Sequence, residues 1–451
     1  VEGSHVITIP SRIVILLLIA ALPAIPFSIV EGSAAMKWEK RIEVASGKAY
    51  RGPWEMNESK WYFVDDPTVA VTERGDAGVA WADHARKDIF FQVFGPEGKP
   101  RFSEPVNVTR NPKTFSWLPR MAMTSGNPGE VYILWQEIIF SGGTHGGEIL
   151  FALSTDGGRS FTEPINLSNS IAGDGKGRLT REIWYNGSLD LARSTAGNLY
   201  AAWTAYEGAL YFSRSVNRGK SFSDPLPIAG DRGDPPARGP SLAVYREDTV
   251  LLAWTVGEER DADIHFTASR DAGRTFEEPQ VLARTIGHSE APKIRADREG
   301  AVHLVFGESP QGPLEKYHVL YTRGDGGGSG FEEPREISSP HFKEFDSVNF
   351  PHLDLDESGN LYVLWELFPK RIAQPQGLGF TFSQDTGSTF APPEVVPGTL
   401  DPELGFSGSQ QGLYMKKLAV NGKGDVAIVN STFRPNRSSH IWLIRGRITG
   451  R

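Results

Sequence analysis

A short apolar strand ending in an aromatic residue recurs along this chain, each copy entered through a turn. The copies are Gly78-Val-Ala-Trp81, Glu130-Val-Tyr-Ile-Leu-Trp135, Asn198-Leu-Tyr-Ala-Ala-Trp203, Thr249-Val-Leu-Leu-Ala-Trp254, Ala301-Val-His-Leu-Val-Phe306 and Asn360-Leu-Tyr-Val-Leu-Trp365. A further copy, Asp425-Val-Ala-Ile-Val429, lacks the aromatic. A shorter alternating run precedes each, such as Ser188-Leu-Asp-Leu-Ala192 or His352-Leu-Asp-Leu-Asp356, and a third run follows, such as Glu148-Ile-Leu-Phe-Ala-Leu153. Polar and apolar positions alternate with the strand period, and no helical period of 3.6 persists anywhere. The pattern predicts an all-β chain of four-stranded units.

A second phrase punctuates the units. Phe is followed three residues later by Pro at Phe102–Pro105, Phe161–Pro164, Phe222–Pro225, Phe276–Pro279, Phe331–Pro334 and Phe390–Pro393. Three copies follow a Ser-x-Asp-x-Gly turn, at Ser154–Asp156–Gly158, Ser269–Asp271–Gly273 and Ser383–Asp385–Gly387; a fourth, Ser215–Asn217–Gly219, carries Asn. An Asp or Asn oxygen accepts backbone N–H groups of its own turn, and Gly supplies a positive φ. The side chains of Asp156, Asn217, Asp271 and Asp385 are thus expected to be structural, with the Phe wedged between neighbouring sheets and the Pro opening an edge strand.

Repeated four-stranded units are the signature of a β-propeller. Six units are complete, and residues 417–444 supply three further strands. The segment Trp38–Val44 resembles the outermost strand of a unit, so the reading is seven blades, the last closed by pairing of the N- and C-terminal segments. Six blades is the alternative, because the first unit turns through Gly95-Pro-Glu-Gly98 without an Asp.

Composition narrows the function classes. A net charge of −8 with no basic stripe argues against a nucleic-acid partner. With no cysteine, disulfides, thiolate metal ligands and covalent haem are excluded, and no cofactor is expected. Arg12 followed by the apolar run Ile13–Leu22 and the small residues Ser33-Ala-Ala35 reads as an export signal over 1–35. The alternative is an N-terminal membrane anchor, the sole route to membrane contact. Residues 36–451 are then one propeller domain, secreted, periplasmic or at the cell surface.

The Ser-x-Asp-x-Gly-x-x-Phe turns, set in propeller units, resemble the Asp boxes of the sialidase (neuraminidase) superfamily, or BNR repeats, over nearly all of the mature chain. The resemblance implies that the boxes lie away from the active site, and that the functional face carries the loops leading into each innermost strand and those after each Trp-ended strand. It also implies, for an exo-sialidase, three arginines clamping a carboxylate, a Tyr nucleophile with a Glu partner, and an Asp acid/base. The family's Arg-Ile-Pro phrase is absent here. Arg120, Arg181 and Arg238 are candidates for the arginines, Tyr185 or Tyr414 for the nucleophile, and Glu182 or Glu290 for its partner, none in a phrase that matches the family.

The same lead-in segments hold the candidate ligand-binding residues: Trp117, Arg120, Trp184, Tyr185, Asn186, Arg238, His288, Glu290, Lys293 and His352. Aromatic rings beside Arg, Asn, Glu and His suit a glycan; the bland reading is aromatics plugging the channel and charges on a solvated rim. The spacing of His288 and His352 matches no metal motif. Asp83, Glu137, Glu258, Glu308 and Glu366 follow the strand aromatics and read as loop caps or ion-pair partners, or else as a ring of carboxylates. The Gly-rich insertion at 138–147 reads as a lid or docking loop. The expectation is an exported propeller binding a glycan or a partner protein, within a surface or periplasmic assembly. The alternative is a glycoside hydrolase of the exo-sialidase type.

Overall fold

The computed structural model describes residues 34–450, apart from 54, 56–57, 112, 139–146, 171–188, 206–207, 231–233, 247–248, 284, 326–329, 340–341, 371–373 and 408–414. The alternating runs form antiparallel sheets arranged as seven blades: six four-stranded sheets, and a last sheet completed from both ends of the chain. Their innermost strands are Val64–Val71, Phe115–Met123, Leu189–Arg193, Ala237–Tyr245, His288–Ala296, Ser347–Leu355 and Leu418–Val420. Each Trp-ended run is the second strand of its blade, and its aromatic is buried against the neighbouring sheet. Trp135, Trp203 and Trp254 are each 0% exposed, burial that contributes about 2–3 kcal/mol apiece. The first unit, despite its turn without Asp, is a full four-stranded blade, which excludes the six-blade count.

The ring closes as the sequence suggested. Ala35–Trp38 pairs antiparallel with residues 446–449, and Ile42–Gly47 with residues 439–443. The outermost strand of blade 7 therefore comes from the N-terminal segment and is broken at residues 39–41. Trp38 locks it to blade 6: its indole N–H donates to Glu394 at 2.7 Å, and its ring meets Phe380 edge-on at 5.0 Å. A small hairpin, Tyr50–Arg51 with Trp61–Tyr62, lies ahead of blade 1.

The Ser-x-Asp turns join the third and fourth strands and are held by their own side chains. Ser154 donates to Asp156 and accepts the Gly158 N–H, both at 2.8 Å; Asp156 in turn accepts the N–H groups of Arg159 and Ser160 and the Ser160 hydroxyl. Asn217 repeats the pattern with its amide, accepting the Ser221 N–H at 3.0 Å and donating to the Ser221 hydroxyl at 2.8 Å. These contacts also staple blades together. The closing phenyls Phe222 and Phe276 meet Phe151 and Phe212 of the preceding blades at 4.9 and 4.8 Å. A Cβ on Gly273, where φ is +77°, would lie 2.6 Å from the Phe212 ring.

Hydrogen bonds outweigh the effect of burial and hold the Asp156 and Asp271 carboxyls down at about 2. Such a depressed acid adds stability above its unfolded value, near 3.9, which is lost as pH falls toward 2. Gly273→Ala should cost about 2–4 kcal/mol in urea denaturation, from backbone strain and the clash with Phe212. Asp271→Asn, copying Asn217, should cost less than about 1 kcal/mol and should flatten the acid limb between about pH 4 and 2. An Asn variant as damaged as Asp271→Ala would contradict this account of the turn.

Candidate functional site

Five innermost strands share an irregularity near their start. The pairing slips between Asp65 and Thr68, Trp117 and Arg120, Arg238 and Ser241, Glu290 and Lys293, and Asn349 and His352. Inside each slip a residue of positive φ precedes a proline: Asp66 (53°), Leu118 (55°), Gly239 (57°), Ala291 (56°) and Phe350 (53°). Proline loses nothing here, because bulged residues need no ladder N–H. Left-handed backbone at a non-Gly residue costs about 1–3 kcal/mol and tends to gather at functional sites. The segments read from sequence as lead-in loops are thus the bulged first halves of the innermost strands. Arg120, Arg238, Glu290 and Lys293 lie within those strands, not ahead of them, and His352 lies in the strand whose run it was read to open.

The bulges set three tiers around the axis. Ahead of them stand Asp65, Trp117, Arg238, Glu290 and Asn349. Behind them, each paired with the residue just before the second-strand aromatic, stand Thr68, Arg120, Ser241, Lys293 and His352; Asp190 takes the same place in blade 3. Lys417 completes this middle tier in blade 7, its carbonyl accepting the Val429 N–H at 2.9 Å. Two residues further on, on the same face of each strand, come Ala70, Ala122, Ala192, Ala243, Arg295, Asp354 and Ala419.

In the first tier the structure brings three sequence candidates, Arg238, His288 and Glu290, together with Asn349. Glu290 accepts from Asn349 at 2.7 Å and lies 3.3 Å from His288, whose other ring nitrogen meets the Glu259 carbonyl at 2.6 Å. Burial alone would raise the Glu290 carboxyl; the His288 hydrogen bond and the charges of His288 and Arg238 outweigh it and hold it at about 2. Trp117 is 2% exposed, in an aromatic cluster with Trp61 (6.1 Å), Phe115 (6.4 Å) and His84 (6.2 Å).

The middle tier is cationic. Burial pushes Arg120 down to about 10, against the pull of Asp190 and Asp66. Lys293 is pushed down to about 8 by enclosure and by Arg120, Arg295 and Lys416, against Asp190. Lys293 makes no hydrogen bond or ion pair among the described residues. Lys417 is paired with Glu366, both nearly fully buried. His352 is 4% exposed, and neither ring nitrogen has a hydrogen-bond partner among the described residues. Burial, then the charges of Lys293, Lys417, Arg295 and Arg120, hold its imidazole well below the ordinary value, so it is neutral at pH 7.

The carboxylates after the strand aromatics act mostly locally. Glu137 accepts from Ser116 at 2.6 Å and Trp135 at 2.9 Å, Glu308 from Ser289 at 2.6 Å, and Asp83 from the Ala85 N–H at 3.0 Å. Glu366 pairs with Lys417, and Glu258 has one buried oxygen with no hydrogen-bond partner among the described residues. No cluster of three or more His, Asp or Glu suited to a metal occurs among the described residues. Arg181, Glu182, Trp184, Tyr185, Asn186 and Tyr414, most of the 138–147 insertion and nearly all of the export-signal segment lie outside the described residues. No described helix is long and apolar enough to cross a membrane.

Sequence reasoning missed Asp65, Asp66, Lys416 and Lys417. The signal was present in part: Pro67–Trp81, Pro240–Trp254, Pro292–Phe306 and Pro351–Trp365 are each fourteen residues apart, a fixed offset that marks the bulge.

No protein-family profile matches the sequence, and no curated protein matches it. Among solved structures the chain is similar to an ulvan lyase, a polysaccharide lyase bound to -[GlcA(1-4)Rha3S]-, with TM-score 0.57 and 11% identity over 90% of this chain and 96% of that one. It is also similar to the polysaccharide lyase Uly1, with TM-score 0.51 and 12% identity over 90% of this chain and 99% of that one. The NanB sialidase from Streptococcus pneumoniae superposes at TM-score 0.46, 11% identical, over 72% of this chain and 68% of that one. The first two likenesses show the propeller fold.

The neutral His352 has a measurable consequence. The unfolded chain takes up its proton below about pH 6.5 and the folded chain does not, so stability falls as pH drops through that range. His352→Leu should make the stability slope shallower by about 1.4 kcal/mol per pH unit between roughly pH 6 and 5. An unchanged slope would show that His352 titrates normally in the fold.

Proposed function

We propose that the protein is an exported propeller, of the Asp-box kind, that binds an acidic glycan where its innermost strands begin. The observation that carries this reading is the cation excess of the middle tier. Arg120 and Lys293 face one axis with Asp190 as the opposing carboxylate of their tier, Lys417 being already paired with Glu366. A carboxylate or sulfate ester on a sugar is the group such a floor attracts, and Arg offers it a planar fork. The Arg238–His288–Glu290–Asn349 network above supplies donors and acceptors suited to hydroxyls.

The bulges support the same place, since four strained non-Gly residues lie at one level of the ring. The structures that share the fold include two polysaccharide lyases, one bound to a fragment carrying glucuronate. Export is supported by Arg12 and the apolar run that follows it. A protein partner, docked on the same loop face, belongs to the reading as an assembly role.

Affinity electrophoresis of the full chain tests the proposal. Gels holding a uronate-rich or sulfated polysaccharide should retard it, and a neutral glucan gel should not. The retardation should weaken with salt, and Lys293→Gln should reduce it about tenfold. Equal mobility in all gels would overturn the reading. Ultraviolet absorbance from unsaturated uronates, or release from a fluorogenic sialoside, would add an activity to the binding.

A further inference from the structure

The third tier hollows the axis. Alanine occupies it in five blades, and Arg295 and Asp354 in the other two, so the inner strands line an open-mouthed chamber of about 310 Å³. Its wall includes Asp190, Arg193, Arg295, Asp354 and Lys416. The lining residues run to the ends of the innermost strands, at Val71, Met123, Val244, Ala296 and Val420. That is the end of the ring that carries the Ser-x-Asp turns, where Gly157 of one such turn donates its N–H to Gly129 at 2.9 Å. The chamber is therefore reached from the side opposite the bulged strand starts, and the middle tier is its roof.

Both carboxylates on the wall are already engaged. Asp190 accepts the N–H groups of Leu191 and Leu242, each at 2.9 Å. Asp354 accepts Arg295 at 3.1 Å, the Leu355 N–H at 3.1 Å and the Val420 N–H at 2.8 Å. Lys416 has no hydrogen-bond or ion-pair partner among the described residues, and the roof above adds Lys293, Arg120 and the unpartnered neutral imidazole of His352. Lys416, Lys293, Arg120, Arg193 and Arg295 thus outnumber the two carboxylates, Asp190 and Asp354, around a partly open space. Charges so placed favour a counter-anion strongly.

We propose that the axial chamber is a binding site for a tetrahedral oxyanion, sulfate or phosphate, held by Lys416 and Arg295 and entering from the end of the ring that bears the Ser-x-Asp turns. The same chemistry is offered by free inorganic anion and by a sulfate ester on a small sugar. Chloride is a poorer fit, because several separated donors match a group with several oxygens.

Calorimetric titration of the full chain with sodium sulfate, sodium phosphate and a monosaccharide sulfate ester, at matched ionic strength in chloride, tests this. One-site binding is expected. Lys416→Met should weaken it about tenfold, and Ala243→Leu, which fills the hollow without removing a charge, should abolish it. Binding of the inorganic anions alone assigns the site to free oxyanion; binding of the ester with the same sensitivity to Ala243→Leu assigns it to a sugar-borne group. No heat from any of them, or affinities unchanged in both variants, would overturn the proposal.

Discussion

The ring depends on one repeated contact, a turn glycine pressed against an aromatic ring of the blade before it. Gly219 meets Phe151 and Gly273 meets Phe212 at distances no side chain could enter. The Ser and Asp or Asn of the turn fix the backbone so that this contact is made, and the closing Phe packs on the same ring. Blades spaced in this way bring equivalent register positions of seven strands to a common axis. The tiers of charge follow from that spacing. A change of one residue in register would turn each side chain to the opposite face of its strand.

Much of this was legible along the chain. Aromatic-ended strands, turn glycines and the stray strand at Trp38–Val44 each carry a local signal of period or turn chemistry, and those signals gave the seven-bladed ring and its closure. The site was legible only as a set of residues. Arg120, Arg238, Glu290, Lys293 and His352 stood out by type, but were placed in the segments leading into the innermost strands. The bulges made that inference fail. Asp65 and Asp66 stand just past the aromatic run Trp61–Phe63 but ahead of any run read for its chemistry, and Lys417 was read only as the opening of a strand. The alanines that make the hollow are invisible to any search for chemistry, since their contribution is the absence of a side chain.

The axis also shows how burial and charge divide the work. Near the strand starts, Glu290 is kept ionised by His288, Arg238 and Asn349 despite its burial. One tier down, lysine and arginine are crowded until their charge is held less firmly, and a histidine among them is driven neutral. Water-poor surroundings magnify each of these effects, so the centre of the ring has a marked polarity although the whole chain is acidic.

The N-terminal strand is the first part of the propeller to be synthesised and the last to find its partner. Thr449 donates to the Ala35 carbonyl across 414 residues of sequence. Until the final strand emerges, blade 7 has no outer neighbour for its ladder and the ring stays an open arc. Pairing at such long range is slow, and unpaired edges invite association in the meantime. A chain organised in this way cannot lock into its finished shape part-way through synthesis. Loss of the strand Ser438–Thr449 would leave a complete set of earlier blades and no closed molecule.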